Sequence, residues 1–208
     1  MAKIHSIPAD DADAAFLAID AFGDTSLHRH VNDQRSYYEW VAGDGVRSPL
    51  IERGFAWLEQ HWPADESASV VSWGDARIGN IIYRDFLPVA VLDWEMAGHG
   101  PREIDLGWMI FLHRFFQDLT EQYGLPGMPT FMRTADVAST YEALTGHTPR
   151  DLRWYLCYAA IRHAIVMFRI TRRQIHFGEA VMPDNPDHAF LHHQTVADMI
   201  ASTYWAKL

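Results

Sequence analysis

Lysine is almost missing from this sequence: among 208 residues only Lys3 and Lys207 occur, one near each end. Every other basic residue is Arg or His, so no lysine is available to the middle of a β-sheet. Glycine-rich phosphate loops are missing too. Gly43-x-Gly45 and Gly98-x-Gly100 begin such a pattern and stop at the second glycine, and there is no Walker-type loop. A lone cysteine, Cys157, excludes an internal disulfide and fits a reducing compartment; its apolar helical surroundings mark it as core rather than nucleophile. No apolar run reaches the length of a membrane span, and the start Met1 to His5 has no secretory character, so the sequence reads as cytoplasmic. Positive charge is scarce overall. Seventeen Lys and Arg against 27 Asp and Glu leave a net charge of -10. That argues against nucleic-acid or anionic-membrane partners, and it favours a cationic small molecule over an anionic one.

What is present is enough apolar material, 49% of the residues, for one well-packed unit or a large lobe of a larger protein. The apolar spacing predicts helices over Asp10 to Phe22, Leu27 to Val41 and Pro49 to Trp62, the last closed by Pro63. Short β-type runs follow at Ala68 to Ser72, Asn80 to Tyr83 and Pro88 to Asp93, with a turn at Asp85 to Leu87 making a hairpin of the last two. Helical periodicity resumes over Ile104 to Phe116, Phe131 to Leu144, Pro149 to Ile175 and Asp187 to Trp205. The expected fold class is α+β, mostly helical, with one small β-hairpin. It divides into helices over 1–64, a β-rich segment over 65–100 and a helical part over 101–208.

The chemistry concentrates in that β segment. Asp75 follows a short strand in a loop, where a carboxylate can orient a substrate hydroxyl and accept its proton. Asn80, five residues on, is a neutral oxygen donor, and Asp93 closes an apolar strand that would hold its carboxylate firmly. Mg²⁺ binds through one or two carboxylates plus phosphate oxygens, which matches this set. Gly79 would permit a tight turn between Asp75 and Asn80.

Trp73-Gly74-Asp75 through Asn80, followed by Asp93-Trp94-Glu95, resembles the aminoglycoside phosphotransferase family. Its catalytic loop usually reads His-Gly-Asp, four residues, Asn, and leads through a hairpin to Asp-Trp or Asp-Phe. The resemblance implies a protein-kinase-like C-terminal lobe. It makes Asp75 the catalytic base and Asn80 and Asp93 the Mg²⁺ ligands, with ATP or GTP as donor and a small-molecule hydroxyl as acceptor. Gly100-Pro101-Arg102-Glu103-Ile104-Asp105-Leu106 resembles the family's Gly-Asp-Pro-x-x-Asp-Leu, which casts Asp105 as the brace of the catalytic loop. Ala2 to Ile7 resembles the helix end after the hinge between lobes. Trp73 replaces the usual His, in a packing and hydrogen-bonding position, and Arg102 stands where Asp is common. The family's acceptor pocket implies Glu142, Tyr155, Tyr158 and Arg162 as lining residues. The glycine-rich loop and strand lysine of the N-terminal nucleotide lobe have no counterpart here. On this resemblance the chain is the C-terminal lobe alone, with reduced activity and an uncovered face favouring self-association.

His188, His192 and His193 lie on the predicted last helix without the Glu of an HExxH motif or an evident third ligand, and read as a surface helix rich in His. His28 and His30 read as solvated. Two other functional readings stay open: a non-catalytic, pseudo-kinase-like binding module, and a metal-dependent phosphohydrolase using Asp75 and Asp93.

Overall fold

The computed structural model describes residues 1–207. The first two helices are set by their caps. Thr25 accepts a hydrogen bond from the His28 amide at the head of α1 (Ser26–Val41), and Ser48 does the same for Ile51 in α2 (Pro49–Gln60). Pro49 occupies the first turn of α2, where its missing N–H costs nothing. Four short strands follow: β1 (Ser69–Ser72), β2 (Ile81–Arg84), β3 (Leu87–Val91) and β4 (Gly98–Pro101). They form two antiparallel pairs rather than one sheet, β1 with β4 and β2 with β3. Beyond them run α3 (Glu103–Gln122), α4 (Thr134–Thr145), α5 (Leu152–His176) and α6 (His193–Ile200). The fold is α+β and mostly helical, as the spacing predicted.

Helix α5 is the axis of the core. Its Ala160, Ile161, Ala164, Ile165 and Phe168 are fully buried, and α1, α2, α3 and α6 all pack against it. Cys157 is among these buried residues, and burial pushes its thiol up. It is core, as expected. No helix among the described residues is long and apolar enough to cross a membrane.

Three expected elements differ. The helix over Asp10 to Phe22 is a single 3-10 segment, Ala12–Leu17, with Phe16 and Phe22 exposed. Its inward positions are largely alanines, which bury too little to hold a helix this short. Met1 to Ile7 forms turns rather than a helix end, with the His5 amide bonded to the Met1 carbonyl. The last predicted helix breaks into a 3-10 turn Pro186–Ala189, α6, and a second turn Tyr204–Lys207; the Lys207 side chain lies outside the described ones. Here a tertiary contact wins over helical spacing. Asp187 Oδ1 accepts from Ser48 Oγ at 2.5 Å and from the Leu50 amide at 3.0 Å, fastening the segment to the head of α2.

Candidate active site

One buried carboxylate organises the loop after β1. Asp105, in the first turn of α3, is fully buried. Its Oδ1 accepts from Ser72 Oγ (2.8 Å) and the Gly74 amide (2.9 Å), and its Oδ2 accepts from the Trp73 amide (2.7 Å). His5 Nε2 meets the same Oδ2 at 2.9 Å. Burial alone would raise this carboxyl. The hydrogen bond and charge of His5, with the two amides, outweigh it and hold Asp105 below the ordinary carboxylate range. His5 is held in turn by Tyr141, whose hydroxyl lies 2.7 Å from Nδ1. Gly74 sits at φ +88°, and a Cβ there would come within 2.0 Å of the Met96 carbonyl oxygen, so no other residue fits the turn.

That turn delivers Asp75 to a half-buried position. Oδ1 accepts from Trp108 Nε1 at 2.7 Å, and Oδ2 accepts from Asn80 Nδ2 at 2.6 Å and Arg77 Nε at 3.1 Å. Three donors on an ionised carboxylate leave about one of its roughly four acceptor sites open. Gly79 is not there to permit a turn, because its φ is not positive. It makes room for Arg77: a Cβ at Gly79 would stand 2.9 Å from the Arg77 Nη1.

Asp93 lies next to Asn80 through the backbone. The Leu92 amide donates to the Asn80 carbonyl at 2.8 Å, and the adjacent β2–β3 ladder pairs Ile81 with Val91. Trp73, buried, ties the same corner by donating from Nε1 to the Leu92 carbonyl at 2.8 Å. Asp93 itself is exposed and sits at φ +61°. The sequence had suggested a carboxylate held in a buried backbone. Most of the β2–β3 hairpin is exposed along its paired length, and the two residues that follow Val91 share that exposure. Asp is one of the few residue types that adopts this left-handed conformation at modest cost. Its carboxylate has no hydrogen-bond or ion-pair partner among the described residues, and the Asn80 carboxamide oxygen is likewise uncommitted. One carboxylate and one amide oxygen on neighbouring stretches of backbone are a donor set that suits a magnesium ion taking its remaining ligands from phosphate and water.

The four expected lining residues are not brought together. Tyr155, Tyr158 and Arg162 are packed inside the core, because α5 is covered on nearly every side. Arg162 stacks over the Trp108 ring at 4.6 Å, with Nε and Nη1 lacking acceptors. Glu142 is exposed on α4 and accepts from Thr148. His30, expected to be solvated, is buried against Tyr158, and burial brings it down to about 3. His192, expected on a surface helix, is buried and bonds the Ala160 carbonyl. Among the described residues no group of three or more His, Cys, Asp or Glu is placed to hold a metal. Conversely, Trp108, Arg77 and His5 were not singled out from sequence. Arg77 could have been, because it lies two residues from Asp75. Trp108 and His5 reach the site only through tertiary packing.

Comparison with known proteins bears on family and fold. The model of the phosphotransferase enzyme family matches residues 1–134, more than half of the sequence, and the chain belongs to that family. Among solved structures it resembles a Ralstonia eutropha protein assigned to the aminoglycoside phosphotransferases, at TM-score 0.68 and 21% identity over 99% of this chain and 62% of that one. It also resembles the macrolide 2'-phosphotransferase MphH of Brachybacterium faecium, at TM-score 0.51 and 20% identity over 96% of this chain and 57% of that one. Both likenesses speak for the fold. A curated relative, acyl-CoA dehydrogenase family member 10 of Mus musculus, is 24% identical over 189 residues, covering 84% of this chain and 16% of the mouse protein. The chain thus spans less than two thirds of the length of each of these relatives.

Proposed function

We propose that this chain carries the acceptor and metal side of a small-molecule kinase, which moves the γ-phosphate of a Mg-nucleotide (ATP or GTP) to a hydroxyl. The observation that carries the reading is the arrangement around Asp75. Its carboxylate keeps one acceptor site open, while Asn80 and Asp93 stand side by side at the base of the β2–β3 hairpin. In the reaction Asp75 orients the attacking hydroxyl and takes its proton as the new O–P bond forms and the bond from the γ-phosphorus to the β,γ-bridging oxygen breaks, releasing the nucleoside diphosphate. Asn80 and Asp93 would hold Mg²⁺, which would supply neutralising charge to the phosphates. Asp105 fixes the loop through Trp73 and Gly74 and is a positioning residue.

A glycine-rich loop and a strand lysine are not among these 208 residues. The activity is therefore proposed for the chain with a nucleotide-covering lobe in place, and the chain corresponds to the C-terminal lobe of such an enzyme. The β2–β3 hairpin turns Ile82, Phe86, Leu87, Val89 and Leu92 to solvent. That apolar face supports docking of such a lobe, or self-association in its absence.

The test is thermal stability against Mg-ATP for this chain and for Asp93→Asn, which keeps a left-handed-tolerant residue but removes the charge. A saturable stabilisation is expected, on the order of 2–3 kcal/mol at a hundredfold excess over Kd, and the variant is expected to lose it without losing intrinsic stability. An equal response in both proteins overturns the ligand assignment.

A further inference from the structure

Beside the catalytic loop lies a cavity of about 290 Å³, closed by Arg77 and Gly79 on one side, by Met109, Leu112 and Phe116 of α3 on another, and by Met128 of the following loop. Arg77 connects it to the chemistry, lining the cavity while its Nε holds Asp75 Oδ2. From this wall we infer that the acceptor is an alcohol with an apolar, non-cationic body. The inference rests on Asp75 being the group that meets the acceptor hydroxyl.

Three observations carry it. First, no carboxylate lines the cavity, and its one formal charge is the positive charge of Arg77. A polycationic acceptor needs anionic partners to replace its hydration, and this wall offers none, only a guanidinium already paired with Asp75. Second, the polar side chains that line it are already spent on holding the loop. Gln117 takes the Met128 amide on Oε1 at 2.7 Å and gives Nε2 to Glu121 and the Pro126 carbonyl. His113 Nε2 lies 3.1 Å from the Met128 carbonyl, and Thr120 donates to the Phe116 carbonyl. What remains for a ligand is thioether, aliphatic and aromatic surface, which recognises an apolar body, with the Arg77 Nη groups as its one uncommitted polar point. Third, Met109 and Met132 also border a second cavity of about 410 Å³, mostly apolar, with Asp136 as its only carboxylate. Two flexible side chains therefore separate the rooms, and a longer body can extend by moving them.

The experiment is NMR titration of the full chain with octanol, hydroxyoctanoate and kanamycin, followed at Phe116, Met109 and Met128. Saturable shifts with octanol and hydroxyoctanoate are expected. Met109→Asp is expected to weaken both by about tenfold or more, as a carboxylate is placed against an apolar body. Phe116→Ala, at a half-exposed site that need not disturb folding, is expected to weaken them in the same direction. Tighter binding of kanamycin than of octanol at these residues overturns the inference, as does absence of alcohol binding or indifference to both variants. Phosphoryl transfer is read separately, with a nucleotide lobe supplied. Alcohol that binds but is not phosphorylated sinks the kinase reading and leaves the cavity's preference standing; phosphorylated kanamycin does the reverse.

Discussion

Trp108 donates its indole N–H to Asp75 Oδ1 at 2.7 Å, so the first two turns of α3 supply both the loop's brace, Asp105, and a donor that fixes the Asp75 carboxylate. Behind Trp108 the buried Arg162 guanidinium faces the same ring.

These two neighbours are expected to respond oppositely to substitution. Trp108→Phe keeps the ring buried but removes one donor to a charged acceptor, at a cost of about 1.5–3 kcal/mol. Arg162→Met replaces a cation whose Nε and Nη1 have no acceptors, and is expected to be neutral or stabilising by about 1 kcal/mol. Urea unfolding of both variants decides this. A loss of several kcal/mol in Arg162→Met would mean that the guanidinium is satisfied in a way the geometry does not explain.

Asp105→Asn is expected to be far more damaging than its size suggests. The carboxylate accepts from Ser72, Trp73 and Gly74 and meets His5. An amide has one oxygen for these partners and turns its NH₂ toward N–H donors. The expected cost is about 3–5 kcal/mol, against about 1 kcal/mol for Ser72→Ala. Equal costs in denaturant titration would refute the bracing role.

Acid should weaken the fold well above the range where carboxylates titrate. Burial lowers His30 and His163 to about 3 and His192 to about 4, from an ordinary value of 6.5. Between those values the unfolded chain takes up protons that the folded chain refuses, so stability falls as pH drops from about 6.5. The slope approaches about 1.4 kcal/mol per pH unit for each histidine. Asp105 adds its own loss only below its ordinary value of 3.8. His163→Phe, in a pocket of Phe111, Phe115 and His192, is expected to flatten the slope by about one proton. A pH series of urea midpoints with an unchanged slope would contradict this.

Much of the architecture could be read before any coordinates, because α1, α2, α3 and α5 announce themselves by apolar spacing and by punctuation such as Pro63 after α2. The proximity of Asp75 and Asn80 follows from five residues of loop, and that of Asn80 and Asp93 from a hairpin with a short turn. Burial was harder to read. Tyr155, Tyr158 and Arg162 follow the helical period of α5, but only packing on all sides reveals that none faces a cleft. Nor could the exposure of Asp93 be inferred, since it depends on how little of the rest of the molecule covers the hairpin. The fraying of the last segment reflects a bond between Asp187 and Ser48, separated by 139 positions, which no local pattern records.

The hairpin turn has a consequence of its own. Asp85 and Phe86 both adopt left-handed backbone, the geometry that lets a two-residue turn match the twist of its strands, and Phe86 projects almost wholly into solvent. The ladder runs from Arg84–Leu87 down to Ile81–Val91, with an irregular register between Ile82 and Tyr83, and Asn80 and Asp93 lie at its root. Both residues are anchored at the root of the same hairpin, so a load on its exposed tip is passed to the backbone of both at once.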